Sequence, residues 1–298
     1  MPLVPASGPT RVTKTGHSFG RMRTCLLLPL CLILGCWAGL AVATVGEQVP
    51  PTIMQRDDWA RLMKEVAITG VFVLWEPDSR RLQASDSVRA RVGFLPASTF
   101  KIFNSLVALQ TGAVPDEHAI IPWDGVIRQN GACNEDMDMA TAIERSCVPW
   151  YQEAARRAGP DRMQHFLDTA HYGNQHMDGP IDKFWLQGAL RITALQQVQF
   201  LERLDREQLP FDPGQQRTVK RILPADSTST WHIRGKTGWG GNPGEEIGWY
   251  IGWVERERRT AYFAFNMDMN SDADAAKRIG MVRKLLLKDG WLDKDALR

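Results

Sequence analysis

Trp231-His232-Ile233-Arg234-Gly235-Lys236-Thr237-Gly238 is the stretch on which the reading of the fold turns. Its first five residues alternate in character as a half-buried strand does, and Trp239-Gly240-Gly241 after them reads as a glycine-rich turn. Two more strand signals follow, Ile247 to Glu255 and Thr260 to Met267. Far upstream, Gly70-Val71-Phe72-Val73-Leu74-Trp75 is a compact apolar, β-branched run. A turn at Pro77-Asp78-Ser79 then leads to a short segment from Arg81 to Ala84. Between these groups the periodicity is helical: Phe100 to Gln110, Met137 to Arg145, Pro149 to Ala158, Asp161 to Thr169 and Thr193 to Leu204. Strands at both ends with helices between them predict an α/β (α+β) fold. One antiparallel sheet is assembled from the two chain ends and flanked by terminal helices, Arg56 to Val66 and Ala273 to Leu287, with a helical domain inserted. The predicted boundaries are residues 44–97 and 226–298 for the sheet domain and 98–225 for the helical one, with a ligand cleft between them.

Residues 1–43 read as a removable leader. They carry four basic residues, Arg11, Lys14, Arg21 and Arg23, and no acidic one. An apolar run from Cys25 follows, interrupted by Pro29, and ends in the small-x-small sequence Ala41-Val42-Ala43. The run is near the length of a membrane anchor, but no basic stop-transfer cluster follows it. Met22 is an alternative start, and lipid attachment at Cys36 fits poorly because Leu34 is large for that position. The sequence as a whole holds 36 basic and 34 acidic residues, so without the leader 32 face 34. A chain that near neutrality offers no electrostatic case for nucleic acid or for stable membrane association after cleavage. Export to the periplasm is the predicted destination.

Three of the five cysteines, Cys25, Cys31 and Cys36, belong to the leader. Cys133 and Cys147 remain, and an oxidising compartment permits a disulfide between them, although spacing alone does not show that they approach. No metal-ligand spacing is present, and His165, His171 and His176 read as surface or packing residues. No metal site is predicted.

Pro96-Ala97-Ser98-Thr99-Phe100-Lys101 opens a helix, so Ser98 and Lys101 share one face. A serine is a weak nucleophile until a base takes its proton. An amine can be that base only when burial lowers its pKa, by about 3–5 from an ordinary value of about 10.4. The alternative is an N-capping serine with a solvated lysine one turn later. Lys236-Thr237-Gly238 is the second element. Lys14-Thr15-Gly16 repeats it in the leader, so context matters: the later copy ends a strand. A lysine and a hydroxyl there could bind a carboxylate, and Gly238 would permit close approach to the backbone.

Five motifs stand in order: STFK at 98–101, SCV at 146–148, YGN at 172–174, WLQG at 185–188 and KTG at 236–238. With the segment from Ile247 to Met269, they resemble the class D (oxacillinase-type) serine β-lactamases, over almost the whole chain after the leader. The resemblance implies the serine β-lactamase and penicillin-binding-protein fold. It implies hydrolysis of the β-lactam amide of penicillins, oxacillin and related antibiotics through an acyl-enzyme on Ser98. It further implies that Lys101 carries a carbamate (N6-carboxylysine) made from carbon dioxide or bicarbonate, with no other cofactor, and that this anion serves as the base in both half-reactions. Trp185 would donate its indole N–H to it. Ser146 would relay protons near the leaving nitrogen, and Val148 and Leu186 would screen the carbamate from water. The backbone N–H groups of Ser98 and Trp239 would form the oxyanion hole. Lys236, Thr237, Gly238 and Arg278 would bind the substrate; Arg278 rests on its place twelve residues after Asn266. Tyr172 sits in a motif that is mainly structural in this family.

Two departures stand out. Cys147 occupies the middle of SCV and reads either as a buried apolar residue or as half of a disulfide, and Trp239 after KTG is bulky. The competing reading is a covalent β-lactam sensor or penicillin-binding domain without rapid turnover. Such sensors are normally tethered, and the second motif of penicillin-binding proteins usually ends in Asn where Val148 stands here.

Overall fold

The structure is a computed structural model and describes residues 52–297 apart from Pro243. The leader, its three cysteines and its Lys14-Thr15-Gly16 copy lie outside the described residues. Seven strands form one sheet: β1 (Ile53–Gln55), β2 (Gly70–Glu76), β3 (Arg81–Ala84), β4 (Ala225–Ser227), β5 (Trp231–Gly240), β6 (Ile247–Arg256) and β7 (Arg259–Asp268). Their order across the sheet is β1-β3-β2-β7-β6-β5-β4. The two chain ends therefore meet at β2 and β7, where Val71 faces Asn266 and Val73 faces Ala264. Pairing is antiparallel except for β1 and β3, which run parallel. Neither β1 nor β4 is signalled by the sequence, because three residues are too few to show a period of two. The predicted turn at Trp239-Gly240-Gly241 starts later, since β5 continues through Gly240.

Eight helices accompany the sheet among the described residues. Helix α1 (Asp57–Lys64) and α8 (Asp274–Lys288) come from the chain ends. Between them lie α2 (Lys101–Gln110), α3 (Met139–Glu144), α4 (Val148–Ala158), α5 (Pro160–Thr169), α6 (Ala194–Asp205) and α7 (Pro213–Ile222). The sequence periods do not mark α7, although Pro213 at its first turn and the Asp212 side chain capping the Gly214 N–H are ordinary helix-start chemistry. No described helix is long and apolar enough to cross a membrane.

Two hydrophobic cores lie on opposite faces of the sheet, and the pleat distributes the residues between them. Val71 and Val73 of β2, Trp249, Ile251 and Trp253 of β6 and Ala264 of β7 join the core shared with α2 to α7. Their neighbours Phe72, Leu74, Val254, Phe263 and Phe265 join the core beneath α1 and α8. Burial on both faces is why Gly70 to Trp75 reads as a continuous apolar run rather than an alternating one. The chain ends are also tied by charge: Arg56 donates to Asp289 at 2.7 Å and to Gln83 at 2.6 Å, and the Trp59 indole donates to Asp289 at 3.1 Å.

Phe72 is fully buried, 4.9 Å from the Trp59 ring and packed on Phe263. Phe72→Ala is expected to lower unfolding stability by about 3–5 kcal/mol. Val88→Ala, at a side chain 76% exposed, should change it by less than about 0.5 kcal/mol. Urea denaturation of the two variants at one pH checks both values.

Candidate active site

Ser98 lies in a single 3₁₀ turn, Ala97–Phe100, which runs directly into α2. In such a turn side chains three apart eclipse, so the predicted i, i+3 pairing becomes closer than in an α-helix. The Lys101 amine donates to Ser98 Oγ at 2.6 Å. Lys101 is fully buried and Ser98 is 8% exposed. The turn begins under strain: Ala97 has φ +48°, a left-handed value costing about 1–3 kcal/mol for a non-glycine residue. It is held because the Ala97 N–H donates to the Trp185 carbonyl at 3.0 Å. Behind it, Thr99 Oγ1 donates to the Pro96 carbonyl at 2.6 Å and accepts from the Gln197 amide at 3.0 Å.

Strand β5 lies against this turn. A side chain at Gly238 would meet Thr99 Cγ2 at 3.1 Å and the Pro96 carbonyl at 3.2 Å. Gly238 therefore permits close approach of the turn that carries Ser98. Lys236, two residues earlier on the same face, donates to Ser146 Oγ at 3.0 Å. Ser146 falls between α3 and α4 and is itself left-handed, with φ +57°. Lys101, Ser98, Lys236 and Ser146 thus form one cluster drawn from two helical segments, a loop and a strand.

The electrostatics of the cluster are dominated by burial. Burial pushes the Lys101 ammonium well below its ordinary value, and the charge of Lys236 adds to the effect. Burial likewise lowers Lys236 to about 8, with Arg278 as the secondary cause. Arg278, on α8, is 9% exposed and reaches across the end of the sheet to donate to the Gly238 carbonyl. Its stem crosses Gly248 of β6, where a Cβ would stand 2.9 Å from Arg278 Cδ. Arg278, expected from its spacing, thus lies beside the KTG strand, whereas nothing local marks Gly248, whose missing side chain makes room for a neighbouring helix. The guanidinium lies 5.9 Å from the Trp239 ring, and the Trp239 indole donates to Glu246 at 3.0 Å.

Trp185 is buried and stacks on Phe100 at 5.3 Å. Its indole N–H has no hydrogen-bond partner among the described residues. A buried donor left without an acceptor is costly, so this N–H points to an acceptor that belongs there. Leu186 and Val148 are both half-buried; Val148 opens α4 two residues after Ser146, and the Leu186 carbonyl lies 3.7 Å from where a Gly240 Cβ would be.

The YGN motif has structural work. The Tyr172 ring packs on Phe103 at 4.7 Å and Phe200 at 5.1 Å, while Asn174 donates to the Ala189 carbonyl at 3.0 Å and accepts from the Arg191 N–H at 2.9 Å. Gly173, at φ +58°, lies against the Arg191 carbonyl. The motif therefore fastens the segment that follows Trp185. His165, His171 and His176 are exposed. Cys133 and Cys147 form a disulfide with a Cα–Cα distance of 5.5 Å, which resolves the two readings of Cys147 in favour of the bridge.

Residues 77–286 match the family model of the penicillin-binding-protein transpeptidase domain. The chain is 37% identical over 264 residues to β-lactamase OXA-10 of Pseudomonas aeruginosa, covering 87% of this chain and 96% of the relative. It is 38% identical over 235 residues to β-lactamase OXA-48 of Klebsiella pneumoniae, covering 79% and 89%. The crystal structure of the class D β-lactamase YbXI from Nostoc superposes with a TM-score of 0.77 at 39% identity, over 78% of this chain and 99% of that one. With a serine and a buried lysine in contact at the head of α2, and with relatives that match along nearly their whole length, the chain belongs to the class D serine β-lactamases.

Proposed function

We propose that the chain hydrolyses the β-lactam amide of penicillins, oxacillin and related antibiotics through an acyl-enzyme on Ser98, with Lys101 carboxylated at Nζ. One observation carries the reading: a fully buried amine stands 2.6 Å from Ser98 Oγ at the head of α2, and Trp185, stacked on the adjoining Phe100, keeps a buried indole N–H without an acceptor among the described residues. The residues present fit a carbamate. Its formation needs a neutral amine, which burial of Lys101 favours, and its oxygens need a donor, which Trp185 can supply. Carboxylated, Lys101 supplies an anionic base that can take the Ser98 proton during acylation and a water proton during deacylation. No observation favours the sensor alternative.

The contacts of Lys236, Arg278 and Ser146 and the register of β5 support the remaining roles. Substrate enters with its carboxylate towards Lys236, Thr237 and Arg278, two of which are buried cations already crowding one another. The Ser98 hydroxyl attacks the lactam carbonyl. For the oxyanion, the Gly235 N–H points away from β6, donating to the Pro224 carbonyl at 3.0 Å. The register from Trp231 to Gly240 is unbroken, so the period of two sets the Trp239 N–H on that same edge, to act with the Ser98 N–H. Ser146, hydrogen-bonded to Lys236, can pass a proton to the leaving nitrogen. Val148 and Leu186 limit water around Lys101. Residues 1–43, basic and then apolar and ending in Ala41-Val42-Ala43, support export to the periplasm, and a buried disulfide suits that oxidising compartment.

Hydrolysis of oxacillin and of a chromogenic cephalosporin, with and without added bicarbonate, tests the reading. Turnover should rise with bicarbonate until it saturates, and Lys101→Ala should abolish it; turnover indifferent to bicarbonate would sink the carbamate. Trp185→Phe keeps the ring stack and removes the donor. A hydrogen bond to a charged group contributes about 1.5–3 kcal/mol, so this variant should need about 10-fold to 150-fold more bicarbonate. At fixed dissolved carbon dioxide, turnover of the wild type should fall with falling pH as Lys101 is protonated. On the alkaline side Lys236 loses its charge near pH 8, its depressed value, so KM for a penicillin should rise above that pH. A pH series of KM, repeated with Lys236→Met to show that the alkaline rise disappears, checks this assignment.

A further inference from the structure

The segment that carries Ser146 is short and under strain. Helix α3 ends at Glu144 and α4 begins at Val148, so Arg145, Ser146 and Cys147 make the whole connection. Ser146 is left-handed at φ +57°, and its own N–H makes a long bond of 3.3 Å to the Ile143 carbonyl. Cys147 stands between Ser146, bonded to Lys236, and Val148, the half-buried first residue of α4. It is fully buried and bridged to Cys133, which is 4% exposed.

The Cys133 side is itself anchored. The Met137 carbonyl accepts from the Trp150 indole of α4 at 2.9 Å, and Met137 pairs with Ile121. The other ties between this segment and the α3–α4 connection come from Arg145, which donates to the Ala132 carbonyl at 3.1 Å and pairs with Glu135. These side chains are 39% and 57% exposed, and such a surface pair holds little. The end of α3 holds the same backbone through the Cys147 N–H, which donates to the Ala142 carbonyl at 2.9 Å, and the Trp150 bond ties α4 to Met137; the bridge is the buried covalent tie, set directly between two residues of the site.

We propose that the Cys133–Cys147 disulfide is a positioning element of the active site, holding Ser146 on Lys236 and Val148 over Lys101, so that full turnover requires this pair to be oxidised. The inference rests on the roles given above to Ser146 and Val148. Loss of the bridge should let Ser146 leave its left-handed conformation, which slows proton transfer, and let water past Val148, which weakens retention of the Lys101 carbamate.

The test is the double variant Cys133→Ala/Cys147→Ala, assayed well below its melting temperature beside Met63→Ala. Met63 lies in the core beneath α1, on the opposite face of the sheet, and serves as a destabilised control. In the double variant kcat at saturating bicarbonate should fall at least tenfold, and the bicarbonate needed for half-maximal turnover should rise at least threefold. Met63→Ala should move neither. Wild-type values in the double variant, or equal changes in the control at a matched loss of melting temperature, would overturn the proposal. Should the double variant not fold, the wild type is reduced under native conditions with tris(2-carboxyethyl)phosphine. The phosphine becomes its oxide, water provides the oxygen, and the disulfide becomes two thiols, whose formation is followed by alkylation and mass. Unchanged kcat and bicarbonate dependence in that reduced, folded protein would equally overturn it. Bicarbonate-independent turnover of the oxidised wild type is a separate result: it removes the carbamate reading and leaves the kcat comparison in force.

Discussion

A lysine amine buried against a serine hydroxyl, with no ion pair to Lys101 among the described residues, is the constraint on which the site depends. Keeping a cation there would be expensive, so the surroundings favour the neutral amine. The next charge along is another cation, Lys236, and beyond it stands Arg278. Each lowers the proton affinity of the one before. Two crowded, partly desolvated cations beside a buried amine leave the cluster short of anions, and the function proposed above would supply two: a substrate carboxylate and a carboxylated Lys101. The same burial lowers the proton affinity of both Lys101 and Lys236.

Preorganisation here is obtained through strain held at two places. Both serines of the cluster stand at or next to a left-handed, non-glycine backbone position, Ala97 before Ser98 and Ser146 itself. Neither conformation is intrinsically favourable for a residue with a side chain, and each persists because surrounding hydrogen bonds hold it. For Ala97 the holder is the carbonyl of Trp185, so the residue that offers the unpartnered indole donor also fixes the nucleophile's turn. For Ser146 the end of α3 is the first holder, with the Cys147 N–H donating to the Ala142 carbonyl at 2.9 Å, and the buried bridge one residue on adds a covalent tie. Hydroxyls fixed in this way lose little freedom when the substrate arrives, which is the physical content of a preorganised site.

How much of this was legible in the sequence depended on whether a signal was local. The pairing of Ser98 with Lys101 follows from helical spacing, and the assembly of one sheet from both chain ends follows from where the strand-like runs stand. The short strands β1 and β4 carry no pattern long enough to read. Helix α7 had its start signals, Asp212 and Pro213, but a weak apolar stripe, and only Gln216 and Val219 are buried. The bridge between Cys133 and Cys147 was permitted by composition but decided only by the 5.5 Å approach of their Cα atoms. The left-handed Ala97 had no signal at all, since alanine does not favour that conformation and its cause lies 88 residues away at Trp185.

The glycines at the end of the sheet show the same limit in reverse. Gly238 belongs to a recognisable tripeptide, and its reading as an opening for substrate was reasonable from a strand alone. In the fold its missing side chain is filled by the Pro96–Thr99 turn, which brings Ser98 beside the strand that carries Lys236. Gly248, one strand over and on the opposite face, is emptied for Arg278 in the same manner. The placement of Ser98 and that of Arg278 therefore share one requirement, a strand end cleared of side chains on both faces so that a helical segment can close on it from each side. Any side chain at Gly238 would press on the nucleophile turn before it met substrate, which ties the third residue of the KTG motif to Ser98 more directly than to the ligand.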